Sequence, residues 1–318
     1  MVKYKKSDMT QKWRILVPVS FGPQSDAALK YARKVSQQRN GMITCLYVIE
    51  KPGFITGKFI SREIEQRIRR EAELQLSAKV NRIYKNEENL SFELIVTSGK
   101  VHRKILEKAS ELQVNEIIMG RSDSSDLTKY ILGSNASHVI AKSAIPVLTL
   151  RGSKFIANDH ILLPLDLSNP VSIKIAKAIE IAALQRSRVT VCVILSPDWT
   201  VLEPAYRERL KEIKKLFANY DIECRVQLMI SRKPVSDEIL SVAGKIGAGQ
   251  IIIMTQVESG TTDLFMGSTA REVIKRSEIP VISLTPNVQT GLYPYKSLFG
   301  NINNPITWYD MNDHLINR

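Results

Sequence analysis

Short runs of uniformly apolar residues alternate along the chain with longer stretches whose apolar positions recur every three or four residues. "RILVPV" (14–19), "MITCLYVI" (42–49), "NEIIMG" (115–120) and "PVLTL" (146–150) are runs of the first kind, bounded by turn residues. Runs of this length without polar alternation predict strands buried on both faces. Between them, "SDAALKYARKVSQQRN" (25–40) sets Ala27, Ala28, Tyr31, Ala32 and Val35 on one helical face. Ser25 or Asp26 is placed to cap that helix. Strand and helix in alternation predict a parallel sheet with right-handed crossovers and helices on both faces. Such sheets take ligands beyond the carboxyl ends of their strands, where strand order reverses.

The pattern occurs twice. "WRILVPVSFGPQSDAALKYARKVSQQRNGMITCLYVI" is echoed by "DHILLPLDLSNPVSIKIAKAIEIAALQRSRVTVCVIL", with Pro18 matching Pro164 and Ser20 matching Asp166, 146 positions on. "VHRKILEKA" is echoed by "VSDEILSVA", and "GSNASHVIAKSAIPVLTL" by "GSTAREVIKRSEIPVISL", 134 positions on. The second copy is therefore 12 residues shorter, the deletion falling between its second strand and third helix. Duplication of one unit explains constant offsets over such lengths. The predicted organisation is a basic tail (1–11), a first α/β domain (12–153), a second (154–286) and an aromatic tail (287–318).

Composition adds limits. No run of about 18 apolar residues is present, so no membrane-spanning segment is expected. The start, "MVKYKKSDMTQKWR", lacks the apolar stretch of a secretory signal, and a cytoplasmic protein is expected. Cys45, Cys192 and Cys224 are too widely spaced for a disulfide framework or a zinc site, and Cys45 and Cys192 read as buried thiols. The net charge of +13 is lopsided. Residues 1–155 hold 27 Lys and Arg against 15 Asp and Glu, a balance of +12; the remainder holds 18 against 17, a balance of +1. An acidic partner is one reading of that excess. Sign alternation at helical spacing in "SREIEQRIRREAELQLSAKVNRIYKNEEN" favours solvated helix faces, and nucleic-acid binding is not expected.

On these residues the chain resembles a tandem universal stress protein over roughly residues 12–286. The opening strand "ILVPV" and the "GS" helix start followed by "IPVL" carry the likeness. The resemblance implies two doubly wound α/β domains, each with a five-stranded parallel sheet of order 3-2-1-4-5. It also implies pairing through the last strands, "PVLTL" and "PVISL", as a homodimer or as a pseudo-dimer within one chain. The ATP-binding branch of that family carries Gly-x-x-Gly, nine residues, then Gly-Ser or Gly-Thr, with an Asp ending the first strand. Glycines let backbone N–H groups approach phosphate, and the final Gly-Ser opens a helix whose N-terminus favours anions.

Carried over residue by residue, the implied crevice of the first repeat is Ser20, Val48, Gly120, Ser122, Asp123, Gly133, Ser134 and Asn135. That of the second is Asp166, Ile194, Gly267, Ser268 and Thr269. Each set departs from the pattern. Asp123 replaces the second glycine and brings a carboxylate toward phosphate, while Ser20 replaces the strand-end Asp. In the second repeat Asp166 and Gly267-Ser268-Thr269 are kept, but Met254 and Val257 fill the two earlier glycine positions. Gly133-Ser134 reads equally as a simple helix start capped by Ser134. ATP or another adenine nucleotide is the cofactor the resemblance implies, and tight ATP binding is not expected of either repeat.

Other motifs are weak. "VSFGPQSD" falls short of the Ser-Gly-Gly-x-Asp-Ser loop of ATP pyrophosphatases, with Pro23 at the second glycine and the last pair reversed. His102, His138, His160 and His314 form no metal-ligand spacing, and no nucleophile–base set is legible, so neither a metal site nor catalytic residues are assigned. Lys100, His102, Arg103 and Lys104 make a basic helix start, read as a solvated face. "EKPGFITGKFISREIEQ" (50–66) reads as a flap over the first crevice or a loop packed on the other repeat. The aromatic C-terminal segment is expected to dock, on its own chain or across a dimer. Three function classes follow: a non-catalytic stress-response binding or signalling protein, an ATP-binding protein with slow hydrolysis, and a polyanion-binding module.

Overall fold

A computed structural model describes residues 12–50, 61–85, 87, 89–121, 132–152, 159–255, 266–288, 302, 304 and 306. The chain divides into two compact units, one ending at Phe155 and the other beginning at Ile156.

The first unit runs β1 (Arg14–Pro18), α1 (Gln24–Arg39), β2 (Met42–Ile49), α2 (Arg62–Tyr84), β3 (Ser91–Ser98), α3 (Val101–Glu111), β4 (Glu116–Arg121), α4 (Ser134–Lys142) and β5 (Val147–Arg151). Its strands are all parallel in the order β3-β2-β1-β4-β5. Ile15, Leu16 and Val17 are fully buried, as a strand covered on both faces must be. Helix α1 packs with α2, and α3 with α4.

The second unit repeats the plan: β6 (His160–Leu165), α5 (Ser172–Gln185), β7 (Arg188–Leu195), a 3-10 turn (Pro197–Leu202), α6 (Glu203–Ala218), β8 (Cys224–Ile230), α7 (Val235–Lys245), β9 (Gln250–Met254), α8 (Ser268–Arg276) and β10 (Val281–Leu284). Its strands are parallel in the order β8-β7-β6-β9-β10. Each unit thus has the 3-2-1-4-5 order. The two loops between second strand and third helix differ in length as the sequence offsets require, and α2 has 23 residues where α6 has 16. Even the turns correspond. The left-handed residue after the third helix is Gln113 in one unit and Gly247 in the other, with φ of 49° and 59°.

Two local expectations fail, and the bounds of a third change. Helix α1 begins at Gln24 with Pro23 at its N-cap, and no side chain caps it. Ser25 lies inside the first turn, buried, and its Oγ accepts from the Ser20 backbone N–H at 2.7 Å. Proline's fixed φ starts the helix before either expected cap is reached. Similarly, α4 has Gly133 rather than Ser134 at its N-cap, again without a side-chain bond. Finally, residues 62–66 of the expected flap are the first turn of α2, capped by Ser61 Oγ accepting from the Ile64 N–H. Residues 51–60 lie outside the described residues.

The C-terminal segment docks on its own unit where it is described. The Ile306 N–H donates to the Leu167 carbonyl at 2.8 Å, and Arg209 Nη1 donates to the carbonyls of Ile302 and Asn304. Ile302 and Ile306 are buried. The aromatic residues of that segment (Tyr293, Tyr295, Phe299, Trp308, Tyr309) lie outside the described residues.

Candidate functional site

In the second unit, β6 ends at Leu165 and the chain turns out through Asp166. The Asp166 carboxylate is held by its own loop. Oδ1 accepts from the Ser168 N–H at 3.0 Å and the Ser168 hydroxyl at 2.6 Å, and Oδ2 accepts from Asn169 Nδ2 at 2.7 Å. Leu167, between these residues, is the carbonyl that holds Ile306. The docked segment therefore fixes the loop that carries Asp166.

Behind the loop lies a cavity of about 430 Å³, at the carboxyl ends of β6, β7 and β9. Asp166, Ile194 and Thr269 all line it. Gly267 and Ser268, at the start of α8, are outside its lining. Its walls are mostly apolar, with Leu165, Trp199, Val235, Ile239, Ile253 and Met254 among them. Two buried polar groups face it that the sequence reading did not single out, Lys174 on α5 and Tyr206 on α6. Lys174 is 8% exposed, and its Nζ donates to the Pro164 carbonyl at 3.0 Å. Burial pulls its pKa down to about 8, against the opposing pull of the Asp166 charge. Burial, helped by the Asp166 charge, pushes the Tyr206 phenol up to about 12, so it stays a proton-bearing donor. One signal for Lys174 was available: it stands where the first repeat has Ala28, on the buried face of α1.

The first unit places its assigned residues differently. Ser20 is tied to α1 by its N–H and by a hydroxyl–hydroxyl contact of 2.9 Å, both to Ser25. Val48 is buried in β2. Gly120, in β4, meets the start of α1 so closely that a Cβ there would lie 1.7 Å from the Gln24 carbonyl oxygen. That glycine is filled by packing. At Gly133 no described atom lies within 4 Å of a Cβ, and at Gly267 the Thr255 carbonyl oxygen alone among described atoms comes near, at 3.7 Å. Ser134 is exposed, and its carbonyl accepts from His138 Nδ1 at 2.7 Å. Asn135 Oδ1 lies 3.3 Å from His102 Nδ1, and the two imidazoles stack at 4.5 Å. Ser122 and Asp123 lie outside the described residues.

The difference between the units has a visible cause. By the 146-residue offset, α5 begins two residues later than α1. Where α1 lays Gln24 against Gly120, the second unit has Met254 at the strand end and a cavity beside it.

Among the described residues no three His, Cys, Asp or Glu side chains gather as a metal site. Burial pushes the thiols of Cys45 and Cys224 up to about 12 and that of Cys192 to about 11, which leaves all three unreactive near neutrality.

Fold and crevice together define a doubly wound α/β protein with a ligand-sized hollow at its strand-order switch point. The universal stress protein family model matches residues 13–151 and again 157–284, and the chain belongs to that family. It is 29% identical over 130 residues to universal stress protein G of Salmonella typhimurium, covering 40% of this chain and 89% of that protein. A universal stress protein of Mycolicibacterium smegmatis is 20% identical over 291 residues, covering 86% of this chain and 98% of its own. The crystal structure of a universal stress protein from Archaeoglobus fulgidus shares the fold, with a TM-score of 0.65 at 20% identity over 86% of this chain and 96% of that one.

Proposed function

We propose that this is a non-catalytic ligand-binding protein of the stress response, in which the second unit holds the working crevice and the first has turned its crevice to packing. The observation that carries the reading is the contrast at one structural position. Gln24 occupies the space at Gly120, while the matching position in the second unit opens on the 430 Å³ cavity. A hollow of that size, largely apolar with a few convergent polar groups, suits a small organic molecule. The family resemblance makes an adenine nucleoside or nucleotide the first candidate, with Asp166 available to ribose hydroxyls. Met254 stands on the phosphate side, so a triphosphate gains nothing there over the nucleoside.

Hydrolysis is not part of the reading: the Ser168 hydroxyl and the Asp166 carboxylate, both at the cavity wall, are hydrogen-bonded to each other within one turn of the loop. Part of the charge of the first unit is paired within its own helices, which leaves its excess unassigned in this reading. Arg69 pairs with Glu73, Lys104 with Glu107 and Lys108 with Glu111, each along one helix. A cytoplasmic setting and pairing through the last strands, as a homodimer or within one chain, belong to the same reading; sedimentation analysis decides between those two assemblies.

The test is calorimetric titration of adenosine and ATP into the purified chain, preceded by extraction and a search for co-purified nucleotide. Micromolar binding of both ligands with similar affinity is expected, abolished by Ile239→Trp and unaffected by Asn135→Ala. Absence of binding, or ATP binding that needs Asn135, sinks the proposal.

A further inference from the structure

We infer that Lys174 is an amine nucleophile, and that the second crevice captures a small apolar aldehyde as an imine on its Nζ. The inference rests on the reading of that crevice as the ligand site, and three features of the crevice carry it further.

The first is the company Lys174 keeps. Its one hydrogen bond among the described residues goes to a neutral acceptor, the Pro164 carbonyl, and no carboxylate there pairs with it. The other buried lysines among the described residues are ion-paired. Lys177, one turn along α5, pairs with Glu180. Lys79 of the first unit pairs with Asp26, and the second-unit position matching Asp26 is Ser172. A buried ammonium that the Asp166 charge only partly offsets is costly, so a chain that keeps one at a cavity wall bears that cost where a ligand is met.

The second is access. Lys174 is 8% exposed yet lines a cavity of about 430 Å³. The residue is shielded from bulk water yet forms part of the wall that an entering molecule meets. The third is the wall chemistry. Trp199, Ile239 and Met254 suit an apolar body, and few polar groups compete for it. The other titratable groups lining the cavity are Asp166 and Tyr206. Asp166 favours the ammonium and is outweighed by burial; Tyr206 keeps its proton. With its pKa near 8, the amine is free in about 300-fold greater proportion at pH 7 than an ordinary lysine. Desolvation in an apolar pocket is a recognised route to a reactive lysine.

The step balances without a further reagent. The Nζ lone pair attacks the carbonyl carbon, the C–N bond forms, and the carbonyl oxygen takes a proton. The carbinolamine then expels that oxygen as water, carrying the protons shed by nitrogen, and C=N remains. One aldehyde and one amine give one imine and one water.

Benzaldehyde is a suitable probe. The full chain is incubated with it at pH values from 6 to 10, reduced with cyanoborohydride, digested, and mapped by mass spectrometry. The expected result is an adduct at Lys174 forming at least tenfold faster than at surface lysines, its rate rising through about pH 8. Lys174→Arg keeps the cation and its carbonyl hydrogen bond but loses the adduct. Modification spread over surface lysines, with Lys174 no faster than they are, overturns the inference. Adenosine is titrated into the same preparation. Adenosine binding without a Lys174 adduct overturns the imine and leaves the crevice reading intact. A Lys174 adduct without adenosine binding supports the imine and removes the nucleoside reading.

Discussion

Gly120, Gly133 and Gly267 share one motif and stand in three different surroundings. A methyl on Gly120 collides with the Gln24 backbone oxygen, which cannot swing aside as a side chain would. Gly120→Ala should therefore force α1 from β4 and cost about 2–4 kcal/mol, read as a lower urea midpoint. Gly133→Ala and Gly267→Ala meet no described atom or only ordinary contact, and should cost less than about 1 kcal/mol, the scale of an N-cap change. Equal losses at all three positions would show that Gly120 is not a packing glycine. The motif spacing was legible in the sequence; the role of each glycine was not. Spacing records the positions of small residues, while the group that fills the space comes from another element. Lys174 was missed for a related reason. A single lysine within an apolar helical face stands out only when the repeats are aligned and Ala28 appears opposite it.

At the scale of elements, α5 and the C-terminal segment shape the crevice from two sides. The late start of α5 leaves the space, and the docked segment holds its rim through Leu167. Removing residues beyond Val288 strips the burial of Ile302 and Ile306 and the two carbonyls that Arg209 binds. At about 1–3 kcal/mol for each buried isoleucine, the second unit should lose about 2–5 kcal/mol. Chemical denaturation of the truncated chain measures this; an unchanged midpoint refutes the docking. Arg209→Ala should give a smaller loss of the same sign. Docking was expected from the aromatic residues of that segment, whereas the described contacts are made by Ile302, Asn304 and Ile306. The partner of the segment was not legible, because an isoleucine N–H meeting a loop carbonyl leaves no pattern in sequence.

For the whole molecule, the buried ionisable groups set how stability follows pH. His160 is buried, its pKa lowered chiefly by that burial, so the unfolded chain binds the proton first and stability falls as pH drops below 6.5. Lys174 acts in the same direction between about pH 8 and 10.5, where the unfolded chain is protonated and the folded one is not, so stability rises with pH. The three thiols act oppositely above pH 9, since the unfolded chain loses protons that the folded chain keeps. Three groups outweigh one, and maximum stability is expected between about pH 8 and 9. Lys174→Met should be more stable than the parent at pH 7, by about 1–3 kcal/mol, with the gain shrinking toward pH 10.5. Urea midpoints across that range decide it; a constant difference would mean the lysine is charged and satisfied in the fold. At this scale the sequence was most readable. Short apolar runs bounded by turn residues read as strands covered on both faces, and two constant offsets point to two copies of one sheet. What a duplicated sheet does with each copy depends on contacts between residues far apart in the chain.

The hydrogen bond from Ile306 to Leu167 joins positions 139 residues apart. Closing so long a loop returns little until the sheet exists, so this contact belongs late in folding and early in unfolding. Variants at Ile306 should then quicken unfolding while leaving the folding rate unchanged. Because the accepting carbonyl belongs to the residue next to Asp166, a change at Ile306 reaches the rim of the crevice through a single peptide unit.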